Sequence, residues 1–461
     1  MESTMLKKSE TYDNVKVPDR WGVEEETTKV SSTRLITRET VLQQATQEVL
    51  KQGKKVIALV GGDPTRFPPL FPADSVIKYL AEAAIDGWNM YISGARPQRG
   101  YKPSDDLYEA GMYWGHPDTG TPWRDALIQE IIRREKVIHK VYYTAKDIFL
   151  QPGTTQAMNQ LYLALLDPGD VLLGPEPTYQ QYFFYAKYFK ADFETSLSFE
   201  EDRWQPDVED LRKRITKKTK AILIVNPNNP TGAVYDEKNL EKIVNIAGEY
   251  KLPIISDEIY DCLTFDVPHS TSIASISKDV PVLTMNGMSK FFAVTGWRVG
   301  YLAIHDPEDK IPHIRKTLEI TTHIAGDAHA IATPVIVAAT RAYKDWDKSL
   351  EHCKWMAKEL KKRRDYIMER IDDIPGIKCT KPEGAFYAFP RVESIGKNKK
   401  WPSEEHFLAD LIKEEQITFV AGSNWGPKQG FAHFRLVFLP KIEVLKEVFD
   451  RLERFMKKHS K

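Results

Sequence analysis

The chain has 461 residues, 42% of them apolar and 11% aromatic, too long for one small domain and enough for a sizeable core. Lys plus Arg and Asp plus Glu stand at 65 each, so no global field draws it to nucleic acid or to an anionic membrane. Cys262, Cys353 and Cys379 lie far apart, in neither a metal spacing nor a disulfide framework, and the polar N-terminus carries no apolar leader. With no apolar run long enough to span a bilayer, the expectation is a cytoplasmic protein that holds no metal.

In chain order, residues 1–34 read as an N-terminal extension. Leu35 to Gln52 reads as a helix, with Ile36, Val41, Leu42, Ala45, Val49 and Leu50 on one face, and Val56 to Val60 as a short strand. Gly61-Gly62-Asp63-Pro64 ends it. Ser75 to Gly87 is helical, and Asn89 to Asp106 is an irregular stretch rich in Gly, Pro and Arg. From Ile148 a strand, turn, helix alternation sets in. Its apolar strands are Val171 to Leu173, Ala221 to Val225, Pro253 to Ser256 and Pro281 to Met285, which predicts an α/β unit with a mainly parallel sheet covered on both faces. Beyond about Ile331, the helices Ala339 to Ile374, Ser403 to Glu415 and Ile442 to Lys458 flank short strands at Ala385 to Phe389 and His433 to Phe438. That part reads as a separate, smaller α+β domain.

The chemistry gathers at strand ends. Between the strands Val280 to Met285 and Val299 to Ile304 runs a Gly-punctuated connection with Lys290 and, eight residues on, Arg298. A lysine at the end of a core strand loses hydration and becomes an amine nucleophile, and an arginine beside it is a permanent cation for a phosphate. Pyridoxal phosphate asks a protein for these two things. At Gln151-Pro152-Gly153-Thr154-Thr155 a strand turns into a helix start whose backbone N–H groups form an anion site, although a Gly-Thr start by itself is also an ordinary cap. Tyr179 follows the strand Val171 to Gly174 and can stack on a flat ring. Asn229, in Asn226-Pro227-Asn228-Asn229-Pro230-Thr231-Gly232, offers an amide to a ring oxygen. In Ser256-Asp257-Glu258-Ile259-Tyr260, Asp257 is the acid placed to meet a pyridinium N–H, and Tyr260 the phenol placed to reach the ring oxygen. Arg435, set in the apolar run Ala432 to Phe438, needs a carboxylate, either from a substrate or from the chain itself.

These pieces, in this order, resemble the class I aminotransferases among the fold-type I pyridoxal phosphate enzymes, over nearly the whole chain from about Leu35. The likeness is closest to the alanine aminotransferase branch, through Val225 to Ala233, Ser256 to Asp261 and Pro382-Glu383-Gly384-Ala385-Phe386-Tyr387. The resemblance implies residues 35–75 and 331–461 as the small domain and 76–330 as the large cofactor-binding domain. It implies that Lys290 holds the cofactor covalently while Ser289, Arg298 and the Gly153-Thr154-Thr155 backbone take its phosphate. Tyr179 then stacks on the pyridine, Asp257 pairs with its nitrogen, and Asn229 and Tyr260 bond its ring oxygen. Arg435 binds the substrate carboxylate, with Asn229 and the Gly62 backbone beside it. A homodimer with shared sites is implied too, its aromatic contact to the partner's phosphate falling on Tyr113 or Trp114. Gly287 stands where the family often has a serine. The stretches Asn89 to Ala110 and Ala325 to Ile331 also depart from the branch.

The expected function is ping-pong transfer of an amino group between an L-amino acid, alanine first, and a 2-oxo acid, 2-oxoglutarate first. An aromatic, branched-chain or aspartate-type aminotransferase and a lyase or synthase on the same fold are the rival enzymes. A regulator that only senses pyridoxal phosphate would carry a DNA-binding helix-turn-helix, and residues 1–34 are too short and irregular to form one.

Overall fold

The computed structural model describes residues 40–88, 122–324, 331–397 and 400–459. The first strands are β1 (Ile57–Ala58), β2 (Ile148–Gln151), β3 (Val171–Glu176), β4 (Asp192–Leu197), β5 (Thr219–Val225), β6 (Ile254–Asp257), β7 (Val282–Gly287) and β8 (Gly300–His305). All but β1 join one seven-stranded sheet in the order β2-β8-β7-β6-β5-β3-β4. The pairs from β4 to β7 are parallel, while β8 runs antiparallel to both of its neighbours, β7 and β2. Side chains alternate between two apolar layers along each central strand. In β5, Ile222 and Ile224 enter one core cluster and Ala221, Leu223 and Val225 the other. β8 divides the same way, Tyr301 and Ala303 against Leu302 and Ile304. Both faces are therefore dry, which is why these strands read as unbroken apolar runs.

The helices are α1 (Val41–Lys51), α2 (Asp74–Ile85), α3 (Pro122–His139), α4 (Thr154–Leu165), α5 (Gln181–Tyr188), α6 (Val208–Arg214), α7 (Glu237–Tyr250), α8 (Ile273–Ile276), α9 (Met288–Phe291), α10 (Pro312–Ile324), α11 (Thr333–Lys344), α12 (Trp346–Asp372), α13 (Glu404–Glu415) and α14 (Ile442–His459). Thr40 opens α1 with a capping box: its hydroxyl accepts from Gln43 N, and the Gln43 side chain accepts from Thr40 N. The start predicted at Leu35 lies outside the described residues. One expected helix is in fact two. The run read as Ala339 to Ile374 breaks between α11 and α12 at Asp345, which has non-helical backbone angles (φ −84°, ψ 45°) and accepts hydrogen bonds from Tyr79 and Lys348. A short acid able to bond nearby donors competes with the helix ladder at that point.

Toward the C-terminus come β9 (Ile377–Lys378), β10 (Tyr387–Ala388), β11 (Arg391–Val392), β12 (Ile417–Thr418), β13 (Val420–Ala421) and β14 (Phe434–Val437). β14 is flanked by β10 and β13, both antiparallel to it, and β12 pairs in parallel with the early strand β1. That pairing brings the turn after β1 beside residues from the far end of the chain. The described residues belong to one compact unit, and none of their helices is long and apolar enough to cross a membrane.

Behind the ends of β6 and β7 lies a buried polar hub. Asp261 accepts from Arg134 Nη2 at 2.6 Å and from Asn286 Nδ2 at 2.9 Å, and sits 2.8 Å from His139 Nε2. Burial alone would raise the Asp261 pKa; Arg134 and His139 outweigh it and hold the carboxyl well below the usual carboxylate range. The hub ties α3 to the residue after Tyr260 and to a residue of β7 just before Lys290.

Candidate active site

β7 delivers its chain end to Gly287, and α9 carries Ser289 and Lys290 directly after it. A side chain at 287 has no room: a Cβ there would lie 2.5 Å from the Val299 carbonyl oxygen of the neighbouring strand segment. The position where the family often has serine is therefore filled by backbone. Lys290 Nζ donates to Gly62 O at 2.6 Å and lies 5.5 Å from the Phe386 ring centroid and 5.9 Å from that of Tyr260. Burial lowers the pKa of this amine to about 8, so roughly a tenth of it is the neutral nucleophile at pH 7, far more than for an ordinary lysine.

From Lys290 the chain turns through Thr295 to Arg298, whose left-handed backbone (φ 57°) points its guanidinium back along the turn. Arg298 donates from Nη1 to Thr295 O at 2.9 Å and from Nη2 to Pro152 O at 3.3 Å. There it meets Gly153, at φ +87°, where a Cβ would stand only 2.1 Å from Arg298 Nη2. Gly153 is also the N-cap of α4, so Thr154 and Thr155 turn their free N–H groups toward the same spot. Glycine, helix start, Ser289 and guanidinium together make a seat for a doubly charged anion.

At the far end Asp257, the last residue of β6, is buried and accepts from Tyr182 Oη at 2.5 Å and from Ile259 N at 3.2 Å. Burial raises its pKa, and the Tyr182 and Ile259 bonds offset part of that. Such a carboxylate is a ready partner for a cationic N–H. Tyr179 sits edge-on to Tyr182, with ring centroids 5.7 Å apart, and tilts over Trp425 at 6.1 Å. Tyr260 Oη lies 2.8 Å from Tyr387 Oη, so the two phenols share one proton and keep another to donate.

Arg435 rises from β14 into the same space. Its guanidinium lies between the rings of Trp425 (4.2 Å) and Tyr387 (4.6 Å). It donates to Asn229 Oδ1 at 3.1 Å and to Val60 O at 2.5 Å, and among the described residues it has no carboxylate partner. The internal salt bridge that would have explained this arginine is thus missing there. Since Asn229 accepts with its oxygen, its amide nitrogen is the end left for a ligand.

These groups line one cavity of about 330 Å³, the lower end of the range for small-molecule sites. Of the residues expected from the sequence, it brings together Gly62, Thr154, Thr155, Tyr179, Asn229, Asp257, Tyr260, Ser289, Lys290, Arg298 and Arg435. Gly153 stands just behind, as the wall that Arg298 presses on, and Tyr113 and Trp114 lie outside the described residues. Sequence reasoning missed Tyr182, Thr295, Tyr387 and Trp425. Tyr182 was within reach, because helical spacing from Tyr179 puts both rings on one side of the start of α5. Tyr387 and Trp425 arrive from β10 and from the turn before β14, and no local pattern announces that.

The family profile for aminotransferases of class I and II matches residues 119–452. The chain is 30% identical to the glutamate-pyruvate aminotransferase AlaA of Escherichia coli, over 94% of this chain and 98% of that one. It is 29% identical to an aspartate aminotransferase of Bacillus subtilis, over 90% and 94%. Among solved structures, the alanine aminotransferase of Pyrococcus furiosus superposes with a TM-score of 0.80 at 38% identity, covering 93% of this chain and 99% of that one. A family profile that spans most of the chain and a relative 30% identical over nearly its whole length agree with this cavity: the chain belongs to the class I and II aminotransferases, and is an enzyme that moves amino groups between amino acids and oxo acids.

Proposed function

We propose that the enzyme uses pyridoxal 5′-phosphate and takes alanine and 2-oxoglutarate as its preferred amino donor and acceptor. One observation carries the cofactor assignment: Lys290, with its pKa lowered to about 8, shares a cavity with an anion seat at one end and Asp257 at the other. The residues fit the group part by part, since Arg298 already occupies the space a side chain at 153 would need and Asp257 is buried without a cation among its hydrogen-bond partners. When bound, the cofactor supplies an aldehyde for the amino group and a ring that withdraws the electron pair left by the Cα proton. The chain does the rest. Arg298, Ser289 and the α4 start anchor the phosphate, Asp257 keeps a proton on the ring nitrogen, and Asn229 and Tyr260 donate to the ring oxygen.

Arg435 fixes the substrate α-carboxylate, which sets the Cα–H bond toward Lys290. With the cofactor bound, Lys290 Nζ would be the base that takes up and gives back the substrate's Cα proton, and its N–H bond to Gly62 O would leave the lone pair for that proton. A second oxo acid reverses the steps, giving ping-pong kinetics. Alanine is supported by the names of the relatives above and by a carboxylate anchor made of one arginine, and 2-oxoglutarate, the oxo acid of glutamate, by the glutamate-pyruvate relative.

We also propose a homodimer with shared sites, a large domain over 76–330 with a small one from 35–75 and 331–461, and a cytoplasmic location. Phe71, Ile77 and Ile85, on and just before α2, are exposed apolar side chains that a second copy would cover, and the three free thiols suit a reducing compartment. A half-reaction screen is the test. Purified enzyme loaded with pyridoxal phosphate should lose its visible band on adding alanine and regain it with 2-oxoglutarate, and sedimentation should give twice the chain mass. A band that no amino acid bleaches sinks the assignment.

A further inference from the structure

The turn after β1 touches the site at three places. Val60 O accepts from Arg435, Gly62 O accepts from Lys290 Nζ at 2.6 Å, and Asp63 Oδ1 accepts from Thr295 Oγ1 at 2.9 Å. Thr295 in turn holds Arg298 through its carbonyl oxygen at 2.9 Å. Two adjacent residues, Gly62 and Asp63, therefore grip the arm that carries both the amine and the phosphate-binding arginine, one at each end. Asp63 is itself fixed: its Oδ1 also accepts from Thr65 N at 3.1 Å and Thr65 Oγ1 at 2.7 Å, and Arg66 stands 3.5 Å from Oδ2.

We propose that Asp63 is a positioning residue of the amino-transfer site, whose carboxylate ties the Lys290–Arg298 arm to the turn at Gly62 and provides a counter-charge to the Lys290 amine. The inference rests on Lys290 being the reacting amine, as proposed above. Lys290 is faced by two arginines, Arg435 and Arg298, which disfavour its charged form, and by two acids, Asp63 and Asp257, which favour it; burial is the larger effect and lowers its pKa. Of these acids Asp63 is the stronger counter-charge to the amine, while Asp257 is held by Tyr182. Burial tends to raise the Asp63 pKa, but bonds from Thr65 and Thr295 outweigh it and keep the carboxyl below its ordinary range, so it is charged at any pH where the enzyme works. Removing the charge makes Lys290 less basic, and removing the Thr295 bond frees the arm without changing the charge.

The experiment separates the two. In cofactor-free protein, Lys290 is condensed with pyridoxal, which has no phosphate, trapped with cyanoborohydride, and its modified peptide is counted by mass spectrometry across pH. Native protein should show a midpoint near the amine's pKa. In D63N that midpoint should fall by about half a unit to one unit, and D63E should restore it. T295V should keep the native midpoint but lose pyridoxal phosphate several-fold faster on dialysis, because the arm bearing Arg298 is loosened. A D63N midpoint equal to the native one, or a T295V midpoint shifted as far as that of D63N, overturns the inference. Failure of native Lys290 to react at all would strike the cofactor assignment, a separate result.

Discussion

Lys290 is the residue on which every step of the proposed function turns, and its charge state makes it testable in two ways. Imine formation needs the neutral amine, so the rate of condensation with excess pyridoxal phosphate should climb with pH to about 8 and level off above it, as read by stopped-flow absorbance. The stability effect runs in the same direction. With the folded pKa lowered to about 8 from an ordinary 10.5, the unfolded chain binds more protons between those values, so this lysine's contribution to stability rises with pH through that window. Below it the full penalty of a charged amine in a poorly solvated site remains. Cofactor-free K290M should therefore melt higher than the native protein at pH 7, with the gap closing toward pH 10 in calorimetry. As the proposed carboxylate anchor, Arg435 answers to both substrates: R435A should raise KM for every amino and oxo acid about 10- to 100-fold, the loss expected for hydrogen bonds to a charged group, with the cofactor still bound. A substitution that altered only one substrate of the pair would contradict a carboxylate role.

At the scale of elements, the site is a set of strand ends. β6, β7 and the β2–α4 turn each release the chain where the sheet stops, and what they release is Asp257, Lys290 and Gly153. That is why these residues were legible in the sequence: each follows an apolar run that could only be a buried strand, and the chemistry begins in the next few residues. The break at Asp345 was not legible, because the apolar spacing continues across it and one of the groups that Asp345 bonds there, Tyr79, lies 266 residues away in sequence. Trp425 and Tyr387 were hidden for the same reason. Their value lies in facing Arg435, and only the pairing of β10 and β13 with β14 brings them there. The β2–α4 turn yields the sharpest test of an element. G153A forces a side chain into a backbone region that only glycine adopts without strain, and into the path of Arg298. It should cost about 1–3 kcal/mol in denaturant titrations and weaken retention of pyridoxal phosphate, whereas alanine at Gly61, where a Cβ meets nothing within 4 Å, should do neither.

For the molecule as a whole, the buried hub around Asp261 links the sheet to α3. D261N would leave Arg134 charged, buried and short of its main partner, so a loss of about 3–5 kcal/mol in unfolding free energy is expected, measured by chemical denaturation of the cofactor-free protein. A loss below about 1 kcal/mol would show that Glu135 alone can hold Arg134. The parallel pairing of β1 with β12 has a further consequence, one of timing. The segment that grips Lys290 is made early, and the strand that seats it, with Arg435 beyond, is made after the sheet is complete. Cutting the chain before β12 would therefore take away the strand that pairs with β1, and with it the support of the turn whose Gly62 carbonyl Lys290 bonds.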